Sequence, residues 1–233
     1  MSTLDSGGQR AEADWLQRWT AGPTEHAGSG LPCGARAPDL TLTDETGRRR
    51  SLSEFWSNGP ALVMFWRHFG CGCGVQRAQR LRQEWAAYRD CGLTPVIIAP
   101  GDPPRAHAYR VRYHLGCPVL TDPHYEAYRA YGVGHWPVER VLYDAPPQMW
   151  DHPRELGVRL QNARRAAGQA PVDDPWRATA EFVVGADGLV RLTYLYQYCE
   201  DFPDPRVLTT AARLSTAAQL SRAVGAVVTA GGR

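Results

Sequence analysis

The most informative stretch of the chain is residues 61–75, which read Ala-Leu-Val-Met-Phe-Trp-Arg-His-Phe-Gly-Cys-Gly-Cys-Gly-Val. The first six of these residues are apolar and follow Gly59-Pro60, which predicts a strand buried on both faces. After a turn over residues 67–74, apolar residues recur at three- and four-residue spacing, which predicts a helix with one apolar face. The residues on that face are Val75, Ala78, Leu81, Trp85 and Tyr88. A buried strand that leads directly into an amphipathic helix is typical of an α/β fold.

Strand and helix patterns alternate on both sides of this stretch. Strands are predicted at 94–99, 118–121, 181–184 and 189–197, and helices at 105–113, 125–131 and about 207–224. Upstream, a hairpin around Gly47 precedes the capping-box spacing of Ser51 and Glu54, which predicts a short helix. The alternation predicts an α/β fold whose central sheet is mixed, mostly parallel and flanked by helices.

Two segments break the regular alternation. Residues 1–34 are rich in Gly, Ser and Thr and carry one short helical pattern around Trp15 and Trp19, so we interpret them as an N-terminal appendage. Residues 35–226 form the predicted main domain. Within it, residues of about 134–176 are rich in Pro, Trp, His and charge, with a helix predicted at 154–167. We interpret this segment as an insertion before the last hairpin.

Composition excludes several classes of function. The 26 basic and 24 acidic side chains give a net charge of +2, too balanced for a nucleic-acid partner. All the basic residues are Arg, so Schiff-base and P-loop lysine chemistry are excluded. The longest apolar run is residues 61–66, far short of the roughly 18 residues of a membrane span. The first 18 residues do not resemble a secretion signal, so we expect a cytoplasmic protein. We also expect no cofactor, and a homodimer is left open.

The two cysteines in the turn are the strongest candidates for chemistry. Cys71 and Cys73 are predicted at or within the first turn of the helix, where unpaired N–H groups and the helix dipole favour a thiolate. Arg67 and His68 are expected to add positive charge, and the neighbouring glycines leave room for a substrate. We therefore predict a redox site with Cys71 and Cys73 as catalytic residues. The alternative is that both are small buried residues under a Gly-rich turn.

Four short motifs in order resemble a known family. They are Gly-Ala-Arg-Ala-Pro-Asp-Leu at 34–40, the strand-to-cysteine segment at 62–71, Pro-Val-Leu-Thr-Asp at 118–122 with Ala-Tyr-Gly-Val at 130–133, and Phe-Val-Val at 182–184 with Asp187-Gly188. From about residue 34 to 210 the chain resembles the thioredoxin-like superfamily, in particular its peroxiredoxin-like members of the alkyl hydroperoxide reductase/thiol-specific antioxidant type. The resemblance implies a thioredoxin-like fold with a five-stranded core. It also implies a thiol-dependent oxidoreductase that acts on a peroxide, disulfide or organic substrate and uses a thiol reductant.

The chain departs from that family around the cysteines. Typical peroxiredoxins carry Thr or Ser three residues before the reactive cysteine and Pro seven before, where this chain has His68 and Met64. Weak turnover of hydrogen peroxide is therefore expected. A C-x-C pair replaces the C-x-x-C of thioredoxin-type enzymes, and the small ring of a Cys71–Cys73 disulfide is expected to be readily reduced.

The resemblance also suggests substrate-binding residues. Superfamily members place a cis-proline before a late strand, facing the cysteine, and the corresponding residue here is Thr179. Trp176 and Arg177 are expected at the same edge. Together with Arg67 and His68 they are the predicted substrate-binding residues.

Two alternatives to redox catalysis remain open. Cys71, Cys73 and His68 have the ligand types that bind Cu(I) or Zn, although a further ligand is missing and no metal site is predicted. Alternatively, the fold serves a binding or specialised biosynthetic role, with aromatic residues of the insertion around an apolar pocket. Those residues are Trp136, Tyr143, Trp150 and Trp176.

The remaining cysteines carry weaker signals. Cys33 lies in a Gly-rich segment and is either a distant resolving thiol or a passive loop residue, the latter being favoured. Cys91, Cys117 and Cys199 are interpreted as packed residues, because none has a helix N-terminus beside it.

Overall fold

A computed structural model describes the backbone of residues 6–142, 150–168 and 172–230 and the side chains of 9–142, 150–168 and 172–217. Tyr143 lies outside the described residues. The helices are α1 Ser6–Ala21, α2 Gly72–Asp90, α3 Pro103–Arg112, α4 Glu126–Ala130, α5 Val138–Val141, α6 Pro153–Ala166 and α7 Pro205–Ala230. The strands are β1 Thr41–Asp44, β2 Arg49–Ser51, β3 Ala61–Phe65, β4 Thr94–Ala99, β5 Val119–Thr121, β6 Ala180–Val184 and β7 Val190–Leu195. The predicted elements are therefore present.

The strands form one mixed sheet in the order β2-β1-β5-β4-β3-β6-β7. Among the described residues, β3 pairs in parallel with β4 and β4 with β5, whereas the other neighbouring pairs are antiparallel. The mixed α/β architecture is thus confirmed, but the expectation of a mostly parallel sheet is wrong. The expected five-stranded core is also extended to seven strands. Short turns can join only antiparallel strands, which accounts for the hairpins β1–β2 and β6–β7 at the two edges, whereas β1–β5 and β3–β6 are antiparallel pairs between strands far apart in the chain.

Strand β3 is central because its residues suit two apolar faces at once. Leu62 and Met64 pack on one face with α2, α3 and α7, whereas Val63 and Phe65 pack on the other face with α4 and β6. All five residues of β3 are buried. Alternate side chains of a strand point to opposite faces, so a continuous apolar run supplies both cores. The C-terminal end of β3 consequently opens into the turn that carries the cysteines.

The N-terminal helix packs on the insertion. Trp15 and Trp19 of α1 form a separate apolar cluster with Leu156, Val172 and Trp176. The ring of Trp19 stacks on Trp176 with centroids 4.9 Å apart. The chain after α1 then crosses the segment after α4 so closely that a Cβ at Gly134 would lie 2.0 Å from the carbonyl oxygen of His26. Residues 9–34 and the described part of the insertion therefore share one packed surface.

The predicted short helix after β2 is a 3-10 helix, Leu52–Phe55. As the capping-box spacing suggested, a carboxylate oxygen of Glu54 accepts a hydrogen bond from the backbone N–H of Ser51 at 2.9 Å. Within the described part of the chain, no helix is both long and apolar enough to cross a lipid bilayer.

Candidate redox site

Cys71 and Cys73 lie where β3 leads into α2. Cys71 occupies the N-cap position of α2 with an extended backbone, and Cys73 lies in the first turn. Their sulfurs are joined as a disulfide, with Cα atoms 5.3 Å apart. Both residues are almost completely buried. The predicted position at the start of a helix after a central strand is therefore the position observed.

A third sulfur, that of Cys199, completes the site. The Sγ atoms of Cys71, Cys73 and Cys199 all lie within 4.8 Å of one another. Cys199 belongs to the segment between β7 and α7. The interpretation of Cys199 as a packed residue missed this proximity, because no local pattern marks it. The register does explain it: Phe65 pairs with Ala180, which pairs with Leu195, so β7 ends beside the turn that follows β3.

Arg67 brings a buried positive charge to the sulfurs. Its Nη1 atom lies 3.2 Å from the Sγ of Cys199 and 3.8 Å from the Sγ of Cys71. Its Nη2 atom donates to the carbonyl oxygen of Pro175, and its guanidinium lies over the ring of Trp136. Opposite charge at this distance favours the thiolate form of a cysteine. The predicted role of Arg67 beside the cysteines is consistent with this geometry.

His68 and Thr179 line the same cleft but contribute no charge. Burial, followed by the nearby positive charge of Arg67, holds the pKa of His68 well below its ordinary value, so its imidazole is neutral. The expectation that His68 adds positive charge is therefore wrong. Among the described residues, the Nδ1 atom of His68 and the Oγ1 atom of Thr179 have no hydrogen-bond partner. Both polar atoms are buried in the lining of the cleft.

The cleft is narrow and ends on a buried charge network. Its cavity volume is only about 10 Å³, and it is lined by Trp66, Arg67, His68, Cys71, Cys73, Gly74, Arg77, Thr179, Tyr196, Cys199 and Phe202. Arg77 donates to both carboxylate oxygens of the fully buried Glu181, at 2.7 and 3.1 Å. The Tyr196 hydroxyl donates to the same carboxylate at 2.5 Å. Sequence reasoning missed this network, because its members come from α2, β6 and the segment after β7.

The structure does not bring Trp176 or Arg177 to the cysteines. Trp176 packs on α1, and its indole N–H donates to the carbonyl oxygen of Arg18 at 2.8 Å. Arg177 pairs with Asp174 at 3.3 Å and with Glu25 at 2.6 Å. They were expected near the cysteines because they precede β6, but their side chains lie on the face that receives the N-terminal segment.

Asp174 is the centre of that second cluster. Its carboxylate lies 2.9 Å from His135 Nε2 and also contacts Arg177. Burial alone would raise its pKa, but the hydrogen bond with His135 and the neighbouring charges hold the pKa of Asp174 below its ordinary value. Because His135 Nδ1 accepts from the backbone N–H groups of Thr24 and Glu25, this cluster fastens the segment after α1 to the domain.

The aromatic residues of the insertion do not form one pocket. Trp136 covers the guanidinium of Arg67, and its indole N–H donates to the carbonyl oxygen of Tyr196 at 3.0 Å. Trp150 and Trp176 instead pack together around Trp19. Only Trp136 of the described three therefore lies beside the cysteine site.

Comparisons with known proteins identify the family and the fold. The sequence profile of the AhpC/TSA family matches residues 33–192, which is most of the chain. The chloroplastic thioredoxin-like protein AAED1 of Arabidopsis thaliana is 28% identical over 109 residues, which are 47% of this chain and 44% of that protein. The thiol-disulfide oxidoreductase ResA of Geobacillus thermodenitrificans is 24% identical over 110 residues, 47% of this chain and 62% of that protein. The matches thus span less than two thirds of the length of these relatives.

Solved structures share the fold. A thiol peroxidase from Chromobacterium violaceum superposes with a TM-score of 0.57 at 15% identity and covers 83% of this chain and 91% of its own. That likeness shows the thioredoxin-like fold, and the profile match shows the family. The chain belongs to the AhpC/TSA family of peroxiredoxin-like proteins.

Proposed function

We propose that this protein is a thiol-dependent oxidoreductase in which Cys71 is the attacking thiolate and Cys73 the resolving thiol. The observation that carries the proposal is the position of Cys71. It occupies the N-cap position of α2, its sulfur lies 3.8 Å from the buried Arg67 guanidinium, and it is bonded to Cys73. Helix N-termini and neighbouring cations both favour a reactive thiolate.

The reaction with a disulfide proceeds in two balanced exchanges. The Cys71 thiolate attacks one sulfur of the substrate disulfide, forms a mixed disulfide and releases the other sulfur as a thiolate. The Cys73 thiolate then attacks the Cys71 sulfur, forms the Cys71–Cys73 disulfide and releases the second substrate thiolate. Substrate is reduced by two electrons and the protein is oxidised by two. A thiol reductant restores the cysteines, so the cycle needs no cofactor.

A disulfide is the favoured substrate over hydrogen peroxide. His68, whose imidazole is neutral, stands where the related peroxidases carry Thr or Ser, and it offers an unpaired ring nitrogen. Thr179 offers an unpaired hydroxyl on the same cleft. Two uncharged polar groups beside an apolar wall suit the ends of an organic disulfide, which enters once the cleft widens beyond the space of about one water molecule that it has in this structure. We propose that Trp136 from the insertion contributes that wall through its contact with Arg67.

The assignment of domains and of a compartment follows from this chemistry. We propose that residues 35–226 form the catalytic domain, with residues 1–34 as an appendage. The cycle requires a compartment that supplies a thiol reductant, as the cytoplasm expected from the sequence does. The homodimer stays open as a prediction.

Two assays on the same preparations test the proposal. Reduction of a small organic disulfide and consumption of hydrogen peroxide, each with a thiol reductant, are measured for the wild type, Cys71→Ser and Cys91→Ser. Cys91 is the matched control because its sulfur donates to the Tyr88 carbonyl oxygen at the other end of α2. We expect disulfide reduction that Cys71→Ser abolishes and Cys91→Ser keeps. Disulfide reduction that survives Cys71→Ser would refute the role of Cys71, and faster turnover of peroxide would make the protein a peroxidase.

A soft-metal site is the second candidate, and Cys199 is the observation that favours it. Once the disulfide is reduced, three sulfurs within 4.8 Å of one another match the ligand preference of Cu(I) or Zn. The His68 imidazole lines the same cleft. Anaerobic titration of the reduced protein with Cu(I) or Zn tests this candidate. Stoichiometric binding that Cys199→Ser weakens would support it, and binding unaffected by that variant would exclude it.

A further inference from the structure

We propose that Cys199 is a third redox residue, which opens the Cys71–Cys73 disulfide by an internal exchange. This inference rests on the proposed function, because it concerns how the oxidised site is returned to its reduced form. The starting observation is that a sulfur from a distant segment lies within 4.8 Å of both members of the pair. The exchange requires the Sγ atoms of Cys199 and Cys71 to close that separation to a bond length, about 2 Å.

Arg67 links the two sulfurs that would exchange. The same Nη1 atom contacts Cys199 at 3.2 Å and Cys71 at 3.8 Å. A cation shared in this way favours the thiolate form of Cys199 before the attack and stabilises the charge that spreads over the sulfurs during it. Its position is constrained at the far end by the carbonyl oxygen of Pro175. Arg67 is therefore preorganised for exchange between Cys71 and Cys199.

The exchange is balanced within the protein. The Cys199 thiol loses its proton to solvent, and the resulting thiolate attacks the Cys71 sulfur. The Cys71–Cys73 bond breaks, a Cys71–Cys199 bond forms, and Cys73 leaves as a thiolate. Cys73 lies in the first turn of α2, where N–H groups without intrahelical partners favour the departing negative charge. The external thiol reductant then reduces the Cys71–Cys199 disulfide.

The segment that carries Cys199 is shaped to hold it over the pair. The Asp201 carboxylate accepts from the backbone N–H of Gln197 and from the Tyr194 hydroxyl, each at 2.8 Å. Phe202 then packs against Tyr196 at the edge of the cleft. These contacts fold residues 196–202 back over α2, which places the third sulfur in the site.

Disulfide mapping gives the first test. Cleavage after Arg yields peptide 68–77 with Cys71 and Cys73 and peptide 192–206 with Cys199, and the other cysteines fall on different peptides. The full-length Cys73→Ser variant is oxidised with one equivalent of diamide, alkylated and digested without reduction. We expect a cross-linked pair of 68–77 with 192–206. These cross-linked peptides are expected to form also in the double variant Cys73→Ser with Cys91→Ser. They are expected to be absent from the double variant Cys73→Ser with Cys199→Ser.

The second test measures turnover, and it separates the role of Cys199 from the proposed function of Cys71. We expect Cys199→Ser to slow reduction of the Cys71–Cys73 disulfide by the external thiol by at least about tenfold, because a neighbouring thiol has a high effective concentration. Circular dichroism would show that the variant is folded. If Cys71→Ser abolishes turnover but Cys199→Ser keeps the full rate and no cross-link forms, only the role of Cys199 is refuted. Turnover that survives Cys71→Ser would refute the proposed function itself.

Discussion

Replacing Arg67 by Gln should make Cys71 much less reactive at neutral pH. A unit charge 3.8 Å from the Cys71 sulfur is worth about 4 kcal/mol at an effective dielectric constant of about 20. Cys199 shares the same N–H and the cleft opens to solvent, so about half of this value, about 2 kcal/mol, is expected to be lost. That loss corresponds to a roughly 30-fold smaller thiolate population, or an upward shift of about 1.5 pH units in the midpoint of alkylation.

The assay measures alkylation of the reduced protein by iodoacetamide against pH. A Cys73→Ser background leaves Cys71 as the only thiol on its peptide, which cleavage after Arg releases as 68–77 when Arg67 is present and as 51–77 when it is replaced, and mass spectrometry follows that peptide. Arg67→Lys is the matched control, because it keeps the charge and loses the planar fork, so its midpoint should shift much less. Circular dichroism checks that both variants fold. An unchanged midpoint in Arg67→Gln, or an equal shift in Arg67→Lys, would refute the electrostatic role of Arg67.

Three further predictions concern stability, measured by urea unfolding. Gly134→Ala should cost about 2 kcal/mol or more, because its Cβ would lie 2.0 Å from the His26 carbonyl oxygen; an unchanged midpoint would contradict this close approach. Glu181→Gln should cost about 2–3 kcal/mol, because it removes one of the two carboxylates that pair with the buried Arg77, the other being Glu84 at 2.6 Å, and a loss below about 1 kcal/mol would show that the Arg77–Glu181 pair matters little. The folded-state pKa of Asp174 is depressed from 3.8, so its stabilisation is complete above that value and fades as the pH falls. Asp174→Asn should therefore lower stability at neutral pH and flatten its acid dependence, whereas a parallel pH profile would refute this role.

Local patterns were sufficient to predict the part of the site that lies on continuous chain. The apolar run of β3 and the helical spacing from Val75 to Tyr88 set the strand, the turn and the helix, because both periodicities reflect burial of neighbouring residues. The C-x-C spacing then brought Cys71 and Cys73 together at the N-terminus of α2. Thr179 was found through the family resemblance, and it does line the cleft.

Predictions that relied on sequence distance alone were less successful. Trp176 and Arg177 precede β6 just as Thr179 does, yet their side chains pack against α1 and Glu25. In this irregular segment the backbone direction changes from residue to residue, so closeness along the chain does not set the direction of a side chain. His68 was expected to be charged, but burial beside Arg67 makes it neutral.

The sequence by itself determined the α/β class, the family and the pair of cysteines at a helix N-terminus, because each depends on residues that are close in the chain. Only the tertiary structure decided that Cys199 lies beside the cysteine pair, where it contacts Arg67, a residue 132 positions away in the chain. The same holds for the pair of Arg77 and Glu181, which are 104 positions apart. Such contacts depend on strand order and register. A shift of one residue in register would turn β6 over and carry Glu181 to the opposite face of the sheet, away from Arg77. Strand order and register are properties of the whole sheet, which no single segment of the sequence specifies.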